Sequence, residues 1–291
     1  TASAVAGVAF LLLGALFVYD YVVDPTLVAF TQLDWPLAGA VIVVVVYGLV
    51  PVARRPALAR ERFSSLAEDR WTLLSLLTVT ALFLVGLLGP FVLSEPRVNI
   101  AHGHQPPVWM SVPTILVNGC TGAVVDGRCF GTWRFPLGTA RGGYDVLVWS
   151  VHGLRVTAAL ALVSGLVVAG VGTAAGAVAG YVGGRLDEVL MRYIDVQQVV
   201  PAFLVYVVLR LVLEGSLFTL VFVFGLLNWG GTARLVRSET RAVAETGYVT
   251  AARAAGASRL SVLWTHVVPN VAGGALTSAT NRVGTLVLAE A

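Results

Sequence analysis

The sequence predicts an all-α, polytopic membrane protein, and three observations carry that prediction. Of 291 residues, 57% are hydrophobic and 12% charged, with a mean hydropathy of +0.84; soluble domains carry about a quarter charged residues. Apolar runs of about 20 residues recur, the length that crosses a hydrocarbon core about 30 Å thick. These runs are continuously apolar and lack the period-two alternation of barrel strands. They therefore read as helices, which satisfy their own backbone hydrogen bonds in lipid.

The spans follow in order. The first covers about Ala4 to Tyr21, and an acidic segment with Asp20, Asp24 and Asp34 follows it. The second runs from about Leu37 to Val52 and leads into Arg54, Arg55, Arg60, Arg62 and Arg70. Cytoplasmic loops are enriched in basic residues, so this loop is placed inside, and with it the N-terminus. A third span, about Trp71 to Leu93, exits to a long polar segment over 94–148. A fourth (Val156 to Tyr181) returns to Gly183, Gly184 and Arg185. A fifth (Val189 to Leu213) leads out to Glu214 and Gly215, and a sixth (Ser216 to Thr232) returns to Arg234, Arg237, Arg241, Arg253 and Arg259. A seventh begins near Thr265. The expected organisation is an N-terminal transmembrane hairpin (1–53), an Arg-rich linker with the third span (54–93), an extracellular segment (94–148) and a core (149–291).

The net charge of +3 comes from arginines alone, for the chain has no lysine. On a membrane chain this excess marks loop orientation rather than nucleic acid. A P-loop requires a lysine on the phosphates, so the chain does not hydrolyse ATP by that route. Gly172, Gly176, Gly180 and Gly184 fall on one helical face, where small residues let two helix backbones approach closely.

The stretch from Glu239 to Asn270 is Ala-rich, polar and on the arginine side. Tyr248, Ala251, Ala252 and Ala255 follow the i, i+3, i+4, i+7 spacing of an amphipathic helix. A short helix ending at Gly256, followed by a span entered through Pro269, makes a cytoplasmic knob suited to docking a partner. A helix lying in the headgroups is the plainer alternative.

Thr250-Ala251-Ala252-Arg253-Ala254-Ala255-Gly256, then nine residues and His266-Val267-Val268-Pro269, resembles the coupling loop of ABC importer permeases. Thr250 stands where that family usually has Glu, and His266 and Val268 where it has Ile and Leu. The His266, Pro269, Asn270 ending is similar to the dipeptide and oligopeptide branch. Pro136-Leu137-Gly138-Thr139, Gly143-Tyr144-Asp145-Val146 and Gly153-Leu154-Arg155-Val156 resemble the run before the core of that branch's second permease, with Ala140 and Tyr144 departing from it. Arg192, Asp195 and Pro201 resemble its next span. The likeness covers about residues 136 to 291.

The resemblance implies a type I importer permease bundle with an extra N-terminal pair of spans, in the cell membrane. It implies two ATPase subunits, a second permease and an extracellular binding protein as partners. Its coupling helix falls at about 247–264, with Tyr248, Thr250, Ala251, Ala252, Ala255, Gly256 and Pro269 as docking residues. A further segment and a last span are expected beyond Ala291. A secondary transporter or channel without an ATPase is the rival reading, and a membrane enzyme a third, for which the residues are poor.

Polar groups inside spans often line a pathway, which singles out Asp195, Gln198, Asn228 and Arg282, with Glu290 a distant partner for the last. Cys120 and Cys129 in the outer segment read as a disulfide; a metal site with His102 and His104 is the alternative. Ser164 beside Gly165 is more in keeping with helix packing than with catalysis. No cofactor is expected.

Overall fold

A computed structural model describes residues 2–22, 31–57, 69–212 and 217–290. Asp24, Arg60, Arg62, Glu214 and Gly215 lie outside the described residues, as does the Glu290 side chain. The chain is a helical, multi-pass membrane protein. Among the described residues four stretches are long and apolar enough to cross a membrane: Asp34–Arg54, Arg70–Val92, Val146–Val182 and Thr219–Ala244. A helix pair, Gly184–Val199 with Ala202–Val212, is long and apolar enough when taken together but is bent by 71°, as a broken span or a re-entrant loop is.

Two compact units can be distinguished, 57–158 and 1–56 with 159–291. In the first, α3 (Arg70–Val92) starts at Asp69, whose carboxylate accepts from the backbone N–H groups of Trp71 and Thr72. The Thr72 hydroxyl, then the Trp71 N–H, hold that carboxyl below its usual range. Gly86 lets α3 approach the Leu154 carbonyl; a Cβ there would sit 2.7 Å from its oxygen.

The segment over 94–148 is not purely irregular. It holds a three-stranded antiparallel sheet in the order β1 (Ser111–Pro113), β3 (Arg128–Phe130), β2 (Val124–Val125). Asp126 and Gly127 connect β2 to β3 with φ of 50° and 69°, the paired left-handed geometry that an Asp-Gly hairpin loop favours. Cys129 on β3 is bonded to Cys120, with Cα atoms 5.8 Å apart. The His102 ring lies tilted on Phe135.

Gln105 is the polar centre of this segment. Its side-chain amide donates to the Asn118 and Gly119 carbonyls, each at 2.9 Å, and accepts from the Thr121 N–H and hydroxyl. Gln105→Ala removes four part-buried hydrogen bonds, each contributing about 0.5–1.5 kcal/mol. Limited proteolysis of purified Gln105→Ala protein is expected to cut between residues 99 and 140 well before the wild type is cut there.

The second unit begins with α1 (Ala2–Val22) and α2 (Asp34–Arg54). Inside α2 a π-helical stretch, Val44–Leu49, precedes Pro51. A proline removes one backbone N–H and its ring crowds the carbonyl four residues back; a widened turn relieves that crowding. After α4 (Val146–Val182), Gly183 and Gly184 take φ of 67° and 60° and turn the chain into α5 (Gly184–Val199). The fifth span was expected to run straight. Instead α5 and α6 (Ala202–Val212) meet at 71°. Pro201 favours the break, because its ring disfavours the helical conformation for the preceding residue; Val200 is extended at φ −80°, ψ 117°. Next come α7 (Leu217–Leu227) and α8 (Gly230–Ala244).

The glycine row of α4 packs on α8. Gly172 faces Thr232, Gly176 faces Ala233 and Val236, and Gly180 faces Thr240 and the Arg237 carbonyl. Gly184 is not part of this contact, for it lies beyond the end of α4 and faces open space. Ser164 is buried and its hydroxyl donates to the Val221 carbonyl at 3.0 Å.

Candidate functional site

Around α8, the polar half of the sequence forms a loop and a cleft. Asp187 on α5, buried at 7% side-chain exposure, takes both Arg237 and Arg241 of α8. Arg237 engages both carboxylate oxygens and Arg241 reaches Oδ2 at 2.6 Å. Asp195 one face further on pairs with Arg234. Sequence reasoning counted these arginines only as orientation signals. Pairing with Asp187 could have been suspected from a carboxylate standing two residues after Arg185, in the same arginine-rich surroundings.

Past α8, Thr246 is extended and α9 (Gly247–Ala254) begins. Val249 is fully buried and joins Val236, Val262, Val267 and Val271 in one core, with Ala252 packed against it. Arg253 lies over the Tyr181 ring at 4.8 Å, and its Nε donates to the Tyr181 hydroxyl at 3.2 Å. These contacts fix the helix on the end of α4. They leave Tyr248, Thr250, Ala251, Ala255 and Gly256 exposed. Thr250 donates its hydroxyl to the Thr246 carbonyl at 3.2 Å.

Gly256 ends α9 at φ 84°, a left-handed conformation that costs other residues about 1–2 kcal/mol. The coupling segment expected over 247–264 is therefore two short helices. The second, α10 (Arg259–Val262), is capped by the Ser258 hydroxyl, which accepts from the Ser261 N–H at 3.2 Å. A π-helical turn, Leu263–Val267, leads into α11 (Val268–Glu290). Pro269 follows that turn as Pro51 follows the one in α2, with the same steric origin. Tyr248 meets the edge of the His266 ring, their centroids 6.4 Å apart.

The four polar candidates from the spans separate. Gln198 lies over Gly230, and Asn228 donates to the Phe224 carbonyl of its own helix at 2.9 Å. Gln197, buried beside them, donates to the Leu226 carbonyl. Asp195 is paired to Arg234, and Arg282 lines a cleft. That cleft, of about 590 Å³, runs between α8 and α11 and is lined by Leu235, Glu239, Thr277, Ser278, Asn281 and Arg282.

Residues 172–291 match the profile described as binding-protein-dependent transport system inner membrane component. The chain is 32% identical over 154 residues to the oligopeptide transport system permease protein OppC of Bacillus subtilis, covering 53% of this chain and 50% of that one. It is 25% identical over 241 residues to the dipeptide transport system permease protein DppC of the same organism, covering 81% and 68%. A peptidoglycan transport system permease protein, YejE of Agrobacterium fabrum, is 31% identical over 141 residues, covering 48% and 37%. The match spans about half the length of the oligopeptide permease. An alignment of 241 residues is longer than the stretch from 136 to 291, so the likeness reaches further toward the N-terminus than the motifs alone indicated. Residues 172–291 thus resemble binding-protein-dependent transport system inner membrane components, and the relatives named above are permease proteins of oligopeptide, dipeptide and peptidoglycan transport systems.

Proposed function

We propose that this chain is a permease subunit of an ATP-driven peptide importer. It supplies half of a translocation pathway, receives substrate from an extracellular binding protein, pairs with a second permease and is coupled to two ATPase subunits through α9. The N-terminus and the α8–α11 connections face the cytoplasm. The observation that carries this reading is the geometry of α9. A short helix is fixed from one side by Val249 and Arg253, while a flat face of Tyr248, Ala251, Ala255 and Gly256 is left open. Small residues on a rigid exposed helix fit a groove on a partner, and rigidity lets movement there reach the spans. With α11 entered directly from this loop, a push on α9 is delivered to the wall of the cleft.

Ala251 and Ala255 are exposed, so bulk placed there spares the core, whereas Ala252 packs against it. Ala251→Trp with Ala255→Trp is expected to lower ATPase co-purification and ATP-driven uptake of a labelled oligopeptide about tenfold, at unchanged membrane abundance. Wild-type co-purification and uptake in that double variant would overturn the coupling role. The bend between α5 and α6 is also a feature that secondary transporters use. Uptake that continues in vesicles deprived of ATP, driven by an ion gradient, would favour that reading.

A further inference from the structure

The helix α11 has three distinct faces. Val271, Ala275 and Ala279 are buried in the core, and Leu276 is 60% exposed on an apolar side. The third face is polar and recurs with helical spacing: Gly274, Thr277, Ser278, Asn281 and Arg282. A polar stripe on a membrane-embedded helix is costly against lipid and is placed against water or protein. Here it borders the cleft of about 590 Å³ whose other wall is α8.

Each wall of the cleft presents one charge over a glycine of the other. The Arg282 guanidinium lies against Gly231 of α8, where any Cβ would overlap it. The Glu239 carboxylate lies against Gly274 of α11 in the same way. Between them the Thr232 and Ser278 hydroxyls are hydrogen bonded at 3.1 Å and join the two walls. Gly231 and Glu239, like Gly274 and Arg282, are eight residues apart in their helices. At 1.5 Å per residue the two charged layers are about 12 Å apart. An extended chain advances about 3.3–3.6 Å per residue, so this separation suits three to four peptide units.

We propose that the α8–α11 cleft is the substrate-contacting groove of this subunit and takes a short, extended, zwitterionic peptide. Arg282 receives the carboxylate end and Glu239 the ammonium end. Asn281 offers hydrogen bonds to the backbone between, and the Thr277 and Ser278 oxygens, already engaged with the Gly273 carbonyl and the Thr232 hydroxyl, each keep room to accept one more. Hydroxyl and amide groups serve any peptide sequence, because they address the main chain and leave the side chains free. This inference rests on the importer reading above.

The two native cysteines are bonded to each other, so a cysteine introduced into the full chain is the reactive thiol. Thr277→Cys, Asn281→Cys and Leu276→Cys are compared in permeabilised membrane vesicles with a small charged methanethiosulfonate. Positions 277 and 281 are expected to label about tenfold faster than 276. Trialanine should slow labelling at 281, and N-acetyl-trialanine amide should not. The protection should be lost when Asn281→Cys is combined with Arg282→Gln or Glu239→Gln. Equal labelling at 276 overturns the groove as a water-lined surface. Absence of protection by trialanine, or equal protection by the blocked peptide or by raffinose, overturns the zwitterionic peptide as its occupant. The two readings fail separately. Protection without any effect of tryptophan at 251 and 255 removes the ATPase coupling alone. Loss of coupling in the tryptophan variants without protection removes the groove alone.

Discussion

Replacing Asp187 by alanine is expected to destabilise the protein by about 3 kcal/mol, the lower end of what removing one partner of a buried ion pair costs. The lower end applies because only the carboxylate is deeply buried. Arg237 and Arg241 side chains are 28% and 49% exposed, and water solvates them in part. Without Asp187 two guanidinium groups stand one helical turn apart on α8 with no counter-charge between them. Asp187→Asn keeps a hydrogen-bond acceptor but loses the charge, and should fall between alanine and wild type. Thermal unfolding of the purified chain in lipid nanodiscs measures both. If alanine and asparagine both unfold within about 0.5 kcal/mol of wild type, the pair adds nothing to the α5–α8 junction.

That junction was the least legible part of the sequence. Hydropathy located α2 and α3 to within a few residues, because a run of apolar side chains has one meaning in lipid; for α4 it found the end but not the start, which lies at Val146, ten residues before the expected Val156. Over 189–213 the same reasoning ran straight through the bend. Val189, Val196, Val199 and Val200 read as continuous apolar sequence, while Asp187, Arg192 and Asp195 define α5 as an amphipathic helix in its own right. Pro201 held the answer, but a single proline does not say whether a helix kinks or ends. The loop carrying α9 was legible from its spacing and its Gly256. What the spacing left open was which side faces inward, and Val249 decides it from a position outside the i, i+3, i+4, i+7 set. The polar stripe of α11 appears only once the helix is known to run from 268 to 290, since each of its residues taken singly looks like an interruption of a span.

The second large effect belongs to the glycine row of α4. Gly176→Leu is expected to cost about 3 kcal/mol, the upper end for an overfilled core. A Cβ at 176 would overlap the Ala233 carbonyl and sit 2.8 Å from the Val236 Cβ, and neither backbone nor a β-branched carbon can swing aside. Gly180→Leu meets the Arg237 carbonyl and the Thr240 Cβ and should behave alike. Gly170→Leu is the matched control: it lies on the same helix, where a Cβ meets nothing within 4 Å, and it should unfold no earlier than wild type. The comparison cancels the propensity change, because glycine is replaced within a helix in every case. The same variants separate two descriptions of α8. If α8 is held by α4 on one side and Asp187 on another, forcing it off the glycine row must also misplace Glu239, and Gly176→Leu should lose trialanine protection at position 281. Tolerance of leucine at 176 equal to that at 170 would mean that α8 shifts freely in lipid, and a freely shifting helix cannot be the fixed wall of a groove.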